Sequence, residues 1–337
     1  MLAFSSSVSV EEVANATFED LTPARLSSTV PIVFRGLIRD WPLVKAGQQS
    51  ASHGADYIRQ WSNGKPVQAF EAPHEVQGRF FYNEQLDGFN FKPKNTTLDR
   101  VLDEILASIN DEQAPCSYLG STSIDHIMPG FRQHNDVPAL ANAPLVSIWA
   151  GAQSRIAAHF DVPDNLACCA VGKRRFTLFP PEQLENLYIG PLDFTPAGPP
   201  ASLVDFYQPD FARFPKFKLA LQHCSIVELG PGDAIFIPSM WWHHVEGLAG
   251  FNVLVNYWWR QVPHFMGTPM DALNHAILSI RDLPKAQREN WQNMFEKYVF
   301  SPMDTDHIPT HRKGILDPLD EQRARQLRAT LINKLNR

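Results

Sequence analysis

His159-Phe160-Asp161, answered downstream by Trp241-Trp242-His243-His244, is the stretch on which the reading of this chain turns. On an extended strand, residues two apart face the same side. His159 and Asp161 can therefore aim an imidazole and a carboxylate at one point. A further imidazole from a distant strand would complete a set of two histidines and one carboxylate. That set fills one face of an octahedral cation and leaves the opposite face open, which suits non-heme Fe(II) oxygen chemistry. H-x-D alone is a weak signal. His243 and His244 compete for the third place, because neighbours on a strand point opposite ways.

The flanks of the motif strengthen it. Leu145 to Ala150 and Leu166 to Val171 are short apolar runs on either side of His159. Arg174 to Phe179 follows, and Gly230-Pro231-Gly232-Asp233 precedes the run Ala234 to Ile237 and the Trp-His pair. Short apolar strands broken by Gly/Pro turns are the pattern of a β-barrel or sandwich. The expected barrel runs from about Ser117 to Trp259, interrupted at 182–224 by an insert rich in Pro and Phe. Inserts of that length often carry substrate contacts.

Motifs in this order along nearly the whole chain carry a resemblance. They include Phe80-Phe81-Tyr82-Asn83-Glu84, Tyr118-Leu119, Ala158-His159-Phe160-Asp161, Asn165, Leu178-Phe179-Pro180-Pro181, Val204-Asp205-Phe206, Trp241-Trp242-His243-His244 and Val255-Asn256-Tyr257-Trp258. Together they resemble the cupin-like JmjC-domain oxygenases, and within them the asparaginyl hydroxylases. The fold so implied is mainly β with α decoration: a double-stranded β-helix (jelly-roll) core with C-terminal helices. The implied cofactors are Fe(II) and 2-oxoglutarate, with O₂ as co-substrate. The implied reaction is hydroxylation of a protein or peptide side chain. The alternatives are the same chemistry on a free amino acid or other small molecule, or a non-catalytic metal-binding cupin module.

The resemblance also assigns residues. It places the metal on His159, Asp161 and His243, and leaves His244 a structural role. It sets Arg174 and Tyr118 on the far carboxylate of 2-oxoglutarate, with Arg174 at a position where a basic side chain is required. Arginine can hold a carboxylate through two parallel N–H donors. Lys173 falls in the turn after Gly172, and Arg175 alternates to the opposite face. Asn165 and Asn256 line the cofactor pocket and Trp258 packs beside the metal. Two features depart from the pattern. Ile156 stands where a threonine hydroxyl would meet 2-oxoglutarate, and Pro200 and Ala201 stand where an asparagine substrate would be held.

Composition bounds the rest. Hydrophobic residues make up 44% and charged residues 20% of 337, an ordinary globular balance. A net charge of -6 argues against nucleic acid as a partner. No long apolar run suggests a membrane span, and the first residues lack the basic and apolar regions of a signal peptide. Cys116, Cys168, Cys169 and Cys224 show no metal spacing, so they read as reduced, mostly buried thiols of a cytoplasmic protein.

Helical periodicity marks Thr96 to Asn110, with Thr96 and Asp99 as a capping box. After Pro263 the chain turns helical, beginning with Thr268-Pro269 as cap and first turn. Residues 1–262 are expected to form the catalytic domain and 263–337 a helical dimerisation segment. The last helix carries Leu327, Leu331 and Leu335 at four-residue spacing, a stripe suited to a homodimer.

Overall fold

A computed structural model describes residues 4–336 except 112, 139, 141, 142, 197 and 303. The chain separates into two compact units, the first ending at Arg260 and the second spanning Gln261–Arg337.

In chain order the strands of the first unit are β1 (Glu11–Val13), β2 (Ile32–Phe34), β3 (Pro66–Ala72), β4 (Arg79–Phe80), β5 (Lys92–Thr97), β6 (Cys116–Ser123), β7 (Leu145–Gly151), β8 (Ser154–His159), β9 (Asp164–Val171), β10 (Arg174–Phe179), β11 (Ser225–Leu229), β12 (Ala234–Ile237), β13 (Trp242–Gly247) and β14 (Asn252–Trp259). They form a nine-stranded sheet, β1-β2-β12-β9-β14-β7-β6-β3-β5, and a five-stranded sheet, β11-β10-β13-β8-β4. From β7 to β14 the chain alternates between the sheets except at β10 and β11, which pair with each other in the smaller one, and the pairing among these strands is antiparallel throughout. That alternation is consistent with the expected jelly roll. The segments outside it extend the larger sheet at both edges, β2 beside β12 and β6 beside β7.

Side-chain alternation splits the larger sheet between two cores. Ala167 and Cys169 of β9 face inward and pack with Phe176, Leu178 and Val245 of the smaller sheet. Leu166 and Cys168 face outward and pack with Leu43, Val44, Ala55 and Ile58 of helices Pro42–Gln49 and Ala51–Arg59. The adjacent cysteines thus occupy different cores, and all four cysteines are free. Burial holds the Cys168 and Cys169 thiols far from ionisation.

Helix Leu98–Ser108 packs on the outer core through Leu98, Val101, Leu102 and Ile105, all buried. Fully burying such side chains contributes roughly 1.5–3 kcal/mol each. The cap lies one residue later than expected. Thr96 is still paired with Val67 in the sheet, so the Thr97 hydroxyl accepts from the Arg100 N–H. Ile109 lies past the last helical residue and is exposed.

The second unit holds helices Pro269–Ser279, Lys285–Phe295 and Glu321–Leu335. Thr268 caps the first of them, its hydroxyl accepting from the Asp271 N–H. Among the described residues of this unit only Ala324 is buried, while Leu278 is 77% and Phe300 72% exposed. No described helix is long and apolar enough to cross a membrane.

Candidate metal and cofactor site

β8 and β13 lie side by side, with His159 directly opposite His243. Their ring centroids are 4.4 Å apart. Each ring's Nδ1 meets a backbone carbonyl two residues earlier, Ala157 O at 2.8 Å for His159 and Trp241 O at 2.9 Å for His243. A carbonyl can only accept, so Nδ1 carries a proton in both rings and Nε2 is the nitrogen turned toward the cluster. The Asp161 carboxylate completes the cluster, with Oδ2 3.5 Å from His243 Nε2. One ligand atom from each of these residues lies within 4.8 Å of the others. Two imidazole nitrogens and a carboxylate converge on one point, which is the donor set of a divalent cation.

Electrostatics agree with that set. Burial, and then the neighbouring His243, push His159 down to about 4. Burial alone would raise Asp161, but the His243 imidazole, His159 and the Trp258 N–H hold it at about 2. Near neutral pH the Asp161 carboxylate is therefore ionised and the His159 imidazole neutral.

Asp161 is not on a regular strand, since β8 ends at His159. It is held instead by the turn before β13, where the Met240 N–H donates to the Asp161 carbonyl at 2.9 Å. Met240 takes a left-handed conformation there, with φ 69°. Asp161 Oδ2 accepts from Asn165 Nδ2 at 3.1 Å and from Trp258 Nε1 at 3.0 Å.

His244 faces away from the cluster. It is buried against the Phe206 ring of the insert, with centroids 4.7 Å apart, and neither ring nitrogen has a hydrogen-bond partner. Burial, reinforced by Arg155, pushes it down to about 3.

The cluster opens into a cavity of about 590 Å³ that Tyr118, Asn165, Arg174, Asn256 and Trp258 also line. Arg174 is 1% exposed, and its Nε and Nη2 meet no hydrogen-bond partner. Its neighbours alternate away from the cavity. Lys173 and Arg175 both pair with Glu228 on the other face. The turn that aims Arg174 requires glycine at 172, where φ is +77° and a Cβ would collide with the Phe251 carbonyl oxygen. Tyr118 lies beside the guanidinium. Burial raises its phenol and Arg174 opposes that rise. Its ring fits because a Cβ at Gly151 would come within 2.8 Å of it.

Ile156 also lines the cavity, although it is three residues from His159 and simple alternation would turn it away. A β-bulge explains this. His243 pairs with His159 and Val245 with Ile156, so Ala157 and Ala158 stand against His244 alone. Ala201 lines the cavity and bridges His159 through its backbone, while Pro200 is buried outside the lining. Neither offers a polar side chain to a substrate amide. The sequence reading missed Trp149, which lines the cavity and donates to Asn256 Oδ1 at 2.8 Å. The only signal for it was an indole in a short apolar strand two residues from Ser147.

The chain is similar to several known proteins. It is 27% identical over 278 residues to Lysine-specific demethylase JMJ31 of Arabidopsis thaliana, covering 72% of this chain and 49% of that protein. It is 37% identical over 122 residues to tRNA wybutosine-synthesizing protein 5 of Danio rerio, covering 36% of this chain and 32% of that protein. With the protein of the same name from Homo sapiens it shares 36% identity over 164 residues, 44% of this chain and 46% of that protein. The chain spans less than half the length of each of these relatives. None of them bears the name of an asparaginyl hydroxylase, so the finer likeness finds no support there. Residues 19–265, which contain the whole cluster and cavity, match the family described as the cupin-like domain, and this chain therefore belongs to the cupin-like, JmjC-type domain family.

Proposed function

We propose that the chain is an Fe(II)- and 2-oxoglutarate-dependent oxygenase that hydroxylates a protein or peptide side chain on a double-stranded β-helix. JmjC-type domains generally use this pair, and the residues here fit it. His159, Asp161 and His243 would hold Fe(II), and Arg174 with Tyr118 would hold the far carboxylate of 2-oxoglutarate. The single observation that carries the reading is Arg174, a buried cation with two unpartnered donors in the same cavity as the cation-binding cluster. A buried charge without a partner is strongly unfavourable, so the site is complete only when an anion fills it. When bound, Fe(II) and 2-oxoglutarate supply the oxidation, in which O₂ is consumed, succinate and CO₂ leave and the substrate gains a hydroxyl group.

The chain's own residues bind, orient and shield. Asn165 and Trp258 fix the Asp161 carboxylate, and the two backbone carbonyls fix the imidazole tautomers. Phe80, Ile156 and Val245 give the cavity apolar walls that exclude water. Ile156 brings no hydroxyl, so 2-oxoglutarate would rest more heavily on Arg174. Pro196, Pro199 and Ala201 bring the insert to the cavity, which supports substrate entry along that side.

The test is a screen for substrate-stimulated succinate formation over peptide libraries and free small molecules, with products read for the mass of one added oxygen. Turnover of peptides supports the reading. Turnover only of small molecules moves the protein to the alternative substrate class. Binding of metal without any succinate formation would leave a non-catalytic cupin module.

The second unit is proposed to form a homodimer. Helices with so little buried surface need an apolar partner to persist. Leu331, Ile332 and Leu335 at the end of Glu321–Leu335 are all exposed.

A further inference from the structure

Along the wall of the cavity, a hydrogen-bond chain crosses the larger sheet from β7 through β14 to β9. Trp149 Nε1 donates to Asn256 Oδ1 at 2.8 Å, Asn256 Nδ2 donates to Asn165 Oδ1 at 3.4 Å, and Asn165 Nδ2 donates to Asp161 Oδ2 at 3.1 Å. Asn256 is 1% exposed, so water does not substitute for these contacts.

The ends of the chain are chemically unequal. An indole N–H can only donate, and an ionised carboxylate can only accept. Each amide between them has one donating and one accepting end. With Trp149 on its oxygen, Asn256 must turn its NH₂ toward Asn165. Asn165 then accepts on its oxygen and has its NH₂ left for Asp161. Reversing the amides would set the Asn165 oxygen against the Asp161 carboxylate, lone pair against lone pair. Trp149 also packs edge-on against Trp258, the other donor to Asp161 Oδ2, with ring centroids 5.9 Å apart at 87°.

We infer that Trp149 is a positioning residue, whose indole N–H sets the direction of the Asn256–Asn165 chain and thereby holds Asp161 ready for the metal. This rests on the reading of His159, Asp161 and His243 as the metal site. Groups that orient a metal ligand from behind typically change affinity 10- to 100-fold when removed.

The test uses Mn(II) as the probe on the full chain without oxygen chemistry, with free Mn(II) read from its EPR signal. Trp149→Phe keeps an aromatic ring and removes only the N–H. Its Mn(II) affinity should fall about tenfold, while the metal-free protein should still unfold cooperatively, at a slightly lower temperature because the buried Asn256 oxygen loses its donor. In an Asn165→Ala background, where the chain is already cut, the same substitution should change affinity by less than about twofold. Wild-type affinity in Trp149→Phe overturns the inference. An equal loss in both backgrounds also overturns it, because packing on Trp258 would then be the cause.

Asn256→Asp gives the same test should Trp149→Phe fail to fold. Its carboxylate accepts from Trp149 and draws the Asn165 NH₂ away from Asp161, so Mn(II) affinity should fall. Unchanged affinity there overturns the direction argument. His159→Ala separates the layers. If wild type and His159→Ala bind Mn(II) equally, the metal reading itself fails and takes the inference with it.

Discussion

Arg174→Met should make the ligand-free protein more stable and abolish its use of 2-oxoglutarate. Methionine covers most of the arginine stem but carries no charge and no N–H. In the ligand-free protein, Arg174 is a buried cation whose Nε and Nη2 have no partner. Leaving a buried polar donor unsatisfied costs about 1–3 kcal/mol. Methionine removes that penalty but loses some packing near Tyr118, so a net gain of about 1–2 kcal/mol is expected. For a unit of this size, that raises the midpoint of thermal unfolding by roughly 2–4 °C per kcal/mol.

With 2-oxoglutarate the sign reverses. The distal carboxylate would enter the same apolar space without its cation, at a cost of about 2–5 kcal/mol. Affinity should fall roughly 30-fold to several thousand-fold. Calorimetry of 2-oxoglutarate binding in the presence of Mn(II) measures this loss directly. Thermal unfolding gives an independent reading. At 2-oxoglutarate concentrations about a hundredfold above its Kd, wild type gains about 2.7 kcal/mol from mass action, whereas the variant should gain almost nothing. If Arg174→Met binds 2-oxoglutarate like wild type, or unfolds earlier without ligand while keeping the full ligand shift, the reasoning is refuted.

Three further outcomes are expected. Mn(II) titration should show affinity lost in His243→Ala and kept in His244→Ala, because His244 faces Phe206; the reverse pattern would reassign the third ligand. His244 is held at about 3 in the folded protein, below its ordinary value near 6.5, so its neutral form is built into the fold. Stability from this residue is whole above about pH 6.5 and drains as pH falls, at up to about 1.4 kcal/mol per pH unit. The metal-free wild type should therefore lose about 1–2 kcal/mol more than His244→Leu between pH 7 and 5, and parallel denaturant curves would disprove it. Leu331→Glu should split the proposed homodimer while leaving Mn(II) binding intact, since a two-fold interface meets each substitution twice; light scattering that finds dilute wild type already monomeric ends that idea.

Local pattern was enough for much of this protein. The H-x-D spacing, the short apolar runs between Gly/Pro turns and the 3.6-residue period of Leu98–Ser108 are properties of neighbouring residues. So are the cap at Thr268 and the alternation that turns Arg174 inward and Arg175 outward. These follow from backbone geometry a few residues long.

What the tertiary structure decided depends on register between distant strands. Alternation told His243 from His244 only as opposite faces; the pairing of β13 with β8 sets His243 against His159. The bulge at Ala157 and Ala158 brings Ile156 to the cavity three residues before His159, which no two-residue period anticipates. The left-handed Met240 reaches back to hold Asp161 beyond the end of its strand. Trp149 became visible only when β7, β14 and β9 lay side by side and placed its N–H at the head of a chain ending on Asp161. Periodicity says which face a residue takes. Only the long-range pairing of strands, set by the packing of two whole cores, says what stands opposite it.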